Sequence, residues 1–127
     1  MPSVLVDTSV WVDFFRKGES PASQELDHLL EEQRAVLCGV VELELLQGVR
    51  PYDKAGLTEL LSGLPFVETE RDDFQEAGEL LGSLRSKGLQ IPATDGLIAA
   101  VCLRQNLSLL TLDKHFNHIN HLKKVKI

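Results

Sequence analysis

Four short apolar runs, "SVLV", "AVLCG", "LPFV" and "LSLLTLD", are each followed or preceded by a longer stretch whose apolar residues recur at helical spacing. This alternation constrains the fold more than any other feature of the chain. Parallel strands need long crossovers, and helices supply them, so the pattern predicts a parallel sheet with helices on both faces. The terminal "KVKI" reads as a further edge strand. In sheets of this kind the functional crevice lies beyond the carboxyl ends of the strands, where strand order reverses. Asp7 follows the first run and Asp113 ends "LSLLTLD", so two acids fall at predicted strand ends.

The intervening segments carry helix signals of their own. Trp11 and Phe15 stand at i, i+4 after the first run. "SPASQELDHLLEEQ" offers Ser20 as N-cap and Pro21 at the first helical position, with Leu26, Leu29 and Leu30 on one face. "VVELELLQG" reads as a helix closed by Gly48 in the left-handed conformation. "DKAGLTELLSG" is another short helix, and "RDDFQEAGELLGSLRSKG" a longer amphipathic one closed by Gly88. "IPATDGLIAAVCLRQN" places a Thr94 cap before an Ala-rich, largely buried helix. There is no repeat, low-complexity tract or linker, so residues 1–127 read as a single domain.

Composition narrows the class. With 43% hydrophobic and 25% charged residues the chain is a globular protein rather than a disordered one. Its longest apolar run after the first, "LIAAVCL", is far short of the roughly twenty residues of a membrane span. Cys38 and Cys102 sit in apolar surroundings without zinc spacing, and read as buried free thiols in a reducing cytoplasm. A net charge of −6 argues against tight, metal-free nucleic-acid binding. It does not argue against an enzyme whose bound cations reverse the local sign that a phosphodiester meets.

The acids are individually ambiguous. Asp7 could cap a helix, Asp113 could open a turn, and Asp95 sits where the macrodipole favours any acid. Thr111 lies two residues before Asp113, so strand alternation points both the same way, and its hydroxyl could hold a carboxylate or a metal-bound water. In "VVELELLQG" both Glu42 and Glu44 are candidates, and on a helix they face roughly opposite directions. Four carboxylates gathered from element ends suit an oxygen cage for Mg²⁺ or Mn²⁺, and no His/Cys constellation of zinc type competes.

At these residues the sequence resembles the PIN-domain ribonucleases, in particular the VapC toxins of prokaryotic toxin–antitoxin pairs. "LVDTSV", "ELLQG", "IPATDGLIAA" and "LSLLTLDKHF" carry the resemblance in this order, across nearly the whole chain. It implies an α/β/α sandwich with a central, mainly parallel sheet of about four to five strands. It implies that Asp7, Glu44, Asp95 and Asp113 form the catalytic metal site for Mg²⁺ or Mn²⁺, with Ser9 and Thr111 in support. Glu44 is thereby preferred to Glu42, as a direct ligand or as the group that orients water. One departure stands out: many relatives carry an acid where this chain has His115, which leaves a second metal open.

The implied activity is hydrolysis of RNA phosphodiesters by a cytoplasmic toxin, held inactive by a cognate antitoxin and forming a homodimer. The helix with Trp11, Phe14 and Phe15 is a candidate for part of the antitoxin groove, against the alternative that its aromatics are core. His115, His118 and His121 in "KHFNHINHL" read as a polar face opposite Phe116, Ile119 and Leu122 rather than a metal site. A haloacid-dehalogenase-type phosphatase would want an Asp at Ser9, and a receiver domain an acidic pair at the first strand; neither is present. The closer rival is a catalytically silent PIN-like domain that binds a protein partner or RNA.

Overall fold

The computed structural model describes residues 2–16 and 18–127. The first apolar run becomes β1 (Val4–Val6), with every side chain buried. It is followed at once by helix α1 (Thr8–Arg16) and then α2 (Pro21–Glu31). As the sequence predicts, Ser20 caps α2: its Oγ accepts the Ser23 N–H at 3.0 Å, and Pro21 opens the helix. The Ser20 and Ser23 hydroxyls also donate to the Asp13 carboxylate, tying α1 to α2.

Strand β2 (Ala35–Cys38) runs directly into α3 (Gly39–Gly48), and a 3-10 turn at Pro51–Asp53 leads into α4 (Lys54–Ser62). Strand β3 is reduced to Phe66–Val67. Helices α5 (Arg71–Ser86) and α6 (Ala93–Gln105) form the most extensive helix pairing of the molecule, and β4 (Ser108–Leu110) completes the sheet. All pairings are parallel and the strand order is β3-β2-β1-β4, with Leu5 paired to Val36 on one side and to Leu109 on the other. "KVKI" adds one parallel bridge to β4, where Leu109 N–H donates to Lys123 and Val125 N–H to Leu109. The expected sheet of four to five strands, flanked by helices, is therefore the one observed.

Three local expectations are corrected. Gly48 ends α3 but not in the left-handed region; Val49 and Arg50 leave in extended conformation, as a residue before Pro51 must. Thr94 does not cap α6, because Pro92 holds that position and its carbonyl accepts the Asp95 N–H. Strand β4 stops at Leu110, so Asp113 lies three residues past its end. By contrast Gly88 does take a positive φ, of 81°, after α5.

The sheet order places a reversal between β1 and β4. The chain steps outward from β1 to β2 to β3, then returns across the sheet through α5 and α6 to β4. The carboxyl ends of β1 and β4 are thus neighbours at the switch point. Around the sheet, Leu5, Val10, Trp11, Leu26, Ile98 and Phe116 are fully buried in one continuous core. No helix is long and apolar enough to cross a membrane among the described residues.

Candidate metal centre

Asp7 emerges from β1 with 4% of its surface exposed. The backbone carbonyl of Asp7, not its carboxylate, takes the first helical N–H, from Val10 at 3.0 Å. The carboxylate is held instead by two hydroxyls on one oxygen: Ser9 Oγ donates to Oδ2 at 2.6 Å and Thr111 Oγ1 at 2.8 Å. Each hydroxyl in turn accepts a backbone N–H beyond β4, Ser9 from Leu112 and Thr111 from Asp113. Ser9 and Thr111 therefore lock the two strand ends together around Asp7. Asp7 thus stands at the N-cap position of α1 by its backbone while its carboxylate is held by hydroxyls, and Thr111 is seen to hold the Asp7 carboxylate rather than that of Asp113.

Asp95 lies in the first turn of α6, buried except for 7% of its surface. Burial, opposed by a hydrogen bond to His115 but reinforced by the negative charges of Asp7 and Asp113, pushes its carboxyl up to about 6. Gly96, the next residue, lets α6 approach α5: a Cβ there would come within 2.7 Å of Leu81 Cγ. Sequence reading assigned Gly96 no role, although a glycine inside a helix is itself a signal of close packing.

Asp113 is half-buried, and its Oδ1 accepts the backbone N–H of His115 at 2.9 Å. That turn brings the His115 ring back over the acids, with Nδ1 3.0 Å from Asp113 Oδ1 and 3.3 Å from Asp95 Oδ2. One donor atom from each of Asp95, Asp113 and His115 lies within 4.8 Å of the others. Asp7 adjoins this trio electrostatically without belonging to it. Glu44 stands further out on α3, where its Oε1 accepts a 2.7 Å hydrogen bond from Thr8. Thr8 had no role in the sequence reading; its place directly after Asp7 was the available signal.

The donor set fits a divalent cation. It offers carboxylate oxygens and one imidazole at mutual coordination distance. The other two histidines of "KHFNHINHL" conform to expectation: His118 and His121 are exposed, while Phe116, Ile119 and Leu122 are buried. Cys38 and Cys102 are buried and free, and burial pushes both thiols up, away from reactivity.

Beside Glu44 a groove of about 700 Å³ runs between α1, α3 and α4, with Phe15, Leu57 and Leu60 among its walls and Arg16 and Arg50 beside them. The α1 aromatics divide accordingly. Trp11 is core, Phe14 is partly buried against it, and Phe15, 47% exposed, faces the groove.

Residues 4–122 match the family model described as "PIN domain". The chain is similar to VapC ribonuclease Mb1587 of Mycobacterium bovis, at 30% identity over 128 residues that cover 97% of this chain and 96% of that protein. Its structure is similar to VapBC from Salmonella typhimurium bound to DNA, with a TM-score of 0.82 at 18% identity and 98% coverage of each chain. It is also similar to VapBC2 of Rickettsia felis bound to a promoter DNA fragment, with a TM-score of 0.79 at 24% identity and 96% coverage of each.

Proposed function

The chain belongs to the PIN-domain family, and from that premise we propose that it is a divalent-metal-dependent endoribonuclease, the toxin of a type II toxin–antitoxin pair, formed by residues 1–127 as a single domain. The observation that carries this reading is the meeting of acids from three elements at one place: Asp7 and Asp113 beyond the adjoining ends of β1 and β4, and Asp95 from the first turn of α6, within coordination reach of Asp113. The ribonuclease name of the mycobacterial relative supports RNA as the substrate.

In this reading Asp95 and Asp113 hold Mg²⁺ or Mn²⁺ with Asp7 beside them. Bound there, the ion supplies Lewis acidity toward a phosphodiester oxygen and lowers the pKa of a water. Asp7, fixed by Ser9 and Thr111, keeps its carboxylate oriented without reorganisation when substrate arrives. Glu44, oriented by Thr8 and outside the reach of the ligand trio, suits a role on the attacking water. The chain's overall acidity fits RNA binding that depends on the cation.

A cognate antitoxin is the second partner, supported by the VapBC complexes among the structural neighbours. Its tail would occupy the groove beside Glu44, with apolar side chains against Phe15 and Leu60. The toxin works in the cytoplasm as a homodimer, a reading supported by the resemblance and measurable by sedimentation.

The test is cleavage of total cellular RNA by purified, antitoxin-free protein in Mg²⁺ or Mn²⁺, with EDTA and Asp7→Asn as controls. Cleavage that needs the metal and falls at least about a hundredfold in Asp7→Asn supports the nuclease. Folded, metal-loaded protein that cleaves none of a varied RNA set would instead make this a silent PIN-like binding domain.

A further inference from the structure

The His115 ring is placed where a ligand belongs. The side chain is 47% exposed and has solvent available to it. It turns inward nonetheless, reaching Asp95, a residue twenty positions earlier on a different helix, as well as its near neighbour Asp113. Among the described residues, His118 and His121 make no such approach to a carboxylate. The inward turn is built into the backbone, because Asp113 Oδ1 accepts the His115 N–H and so folds residues 113–115 back on themselves.

We propose that His115 Nδ1 is a nitrogen ligand of the bound cation, and that it gives this site a preference for Mn²⁺ over Mg²⁺. The inference rests on the metal-dependent reading of the same acids. Its chemical basis is the donor set. Mg²⁺ is held by oxygen ligands and water and dehydrates reluctantly, whereas imidazole is a ligand of the first-row transition ions. An all-carboxylate site suits both ions. A site whose three mutually reachable donors are Asp95, Asp113 and His115 favours Mn²⁺. The nitrogen also replaces a negative charge that an acid at this position would add to an already crowded cluster, so the trio keeps its reach with less self-repulsion.

The test uses metal-free full-length protein, with Mn²⁺ and Mg²⁺ added separately and no RNA. Wild type, His115→Asp, His115→Gln and Asp95→Asn are titrated calorimetrically, and the Mn²⁺ complexes are examined by pulsed electron paramagnetic resonance for coupling to a directly bound ¹⁴N. Wild type is expected to show that coupling, and both His115 variants to lose it. The ratio of Mn²⁺ to Mg²⁺ affinity is expected to fall by about tenfold or more in His115→Asp. His115 is exposed, so both variants should remain folded, and circular dichroism checks that they do. If Mn²⁺ binds wild type and is weakened by Asp95→Asn, yet no ¹⁴N coupling is seen, the nitrogen ligand is overturned while the metal centre stands. Coupling that survives in both His115 variants overturns it equally. If Mn²⁺ binding is indifferent to Asp95→Asn as well, the metal centre itself is lost, and the inference with it.

Discussion

Asp95 shows how a single carboxyl in this fold trades stability against readiness for a cation. Its ordinary value of 3.8 is raised to about 6, first by burial and further by Asp7 and Asp113, against the opposing hydrogen bond to His115. A raised carboxyl favours the protonated folded state. Its contribution to stability is therefore complete below about pH 4 and is lost as pH rises through 6, up to about 3 kcal/mol in all. In EDTA, the denaturation midpoint of wild type should fall relative to Asp95→Asn across that window, and the two curves should run parallel above it. Parallel curves throughout would mean that Asp95 titrates normally. Thr111 is the second residue with a measurable duty. Thr111→Val removes a donor to Asp7 and leaves the Asp113 N–H without its acceptor. The expected loss is about 1–3 kcal/mol by urea denaturation, together with weaker metal binding. The sequence reading reached Ser9 through resemblance, Thr111 first through strand alternation, and Asp7, Asp95 and Asp113 through their places at element ends. It could not show that both hydroxyls bind one oxygen of Asp7, because residues 9 and 111 meet only across the sheet.

Among the elements, the α5–α6 pair decides where Asp95 stands. Gly96→Ala should gain about 1 kcal/mol of helix propensity but force Leu81 aside, for a net loss of about 1 kcal/mol. In a Leu81→Ala background the same change should turn stabilising; a loss in both backgrounds would show that Leu81 is not what Gly96 accommodates. The other end of this pair is fixed by Arg104 of α6. Its Nε and Nη2 donate to Asp73 at 2.7 and 2.9 Å, and Nη2 also reaches the Glu68 carbonyl. Burial pushes the Asp73 carboxyl up, but the Arg104 hydrogen bonds, the Glu70 N–H and the Arg104 charge together hold it below its ordinary value. Arg104→Met strands that buried carboxylate and should cost about 3 kcal/mol near neutral pH, shrinking as pH falls below 4 and Asp73 is protonated in both states. Chemical denaturation at two pH values checks both statements. Helices were readable wherever the signals were local, as at Ser20, Pro21 and Gly88. They misled where a neighbouring proline overrode a glycine or threonine, as at Gly48 and Thr94. Strand β3 shows the same limit from the other side, since how much of "LPFV" pairs depends on β2 lying alongside it.

For the molecule as a whole, the site is a property of strand order. Asp7 and Asp113 are 106 positions apart in the chain, and they adjoin because β4 returns to lie beside β1. Binding a cation there should stabilise the entire fold, since only the folded chain assembles the donors. At about one hundred times its Kd, Mn²⁺ should add about 2.7 kcal/mol and raise Tm by about 8–10 °C, and the shift should be largely absent in Asp95→Asn. A wild-type Tm that ignores Mn²⁺ would count against a metal centre at this place. The sequence by itself determined the class of fold and the Ser20–Pro21 start of α2, and it offered the acids as candidates, because periodicity, turn chemistry and residue type act over a few neighbours. The inward turn of His115, the grip of Ser9 and Thr111 on Asp7, the tie of Thr8 to Glu44 and the contact of Gly96 with Leu81 were decided in three dimensions. Each joins segments that are brought together only after the sheet and its helices have packed, and no local signal can encode a distance across the fold.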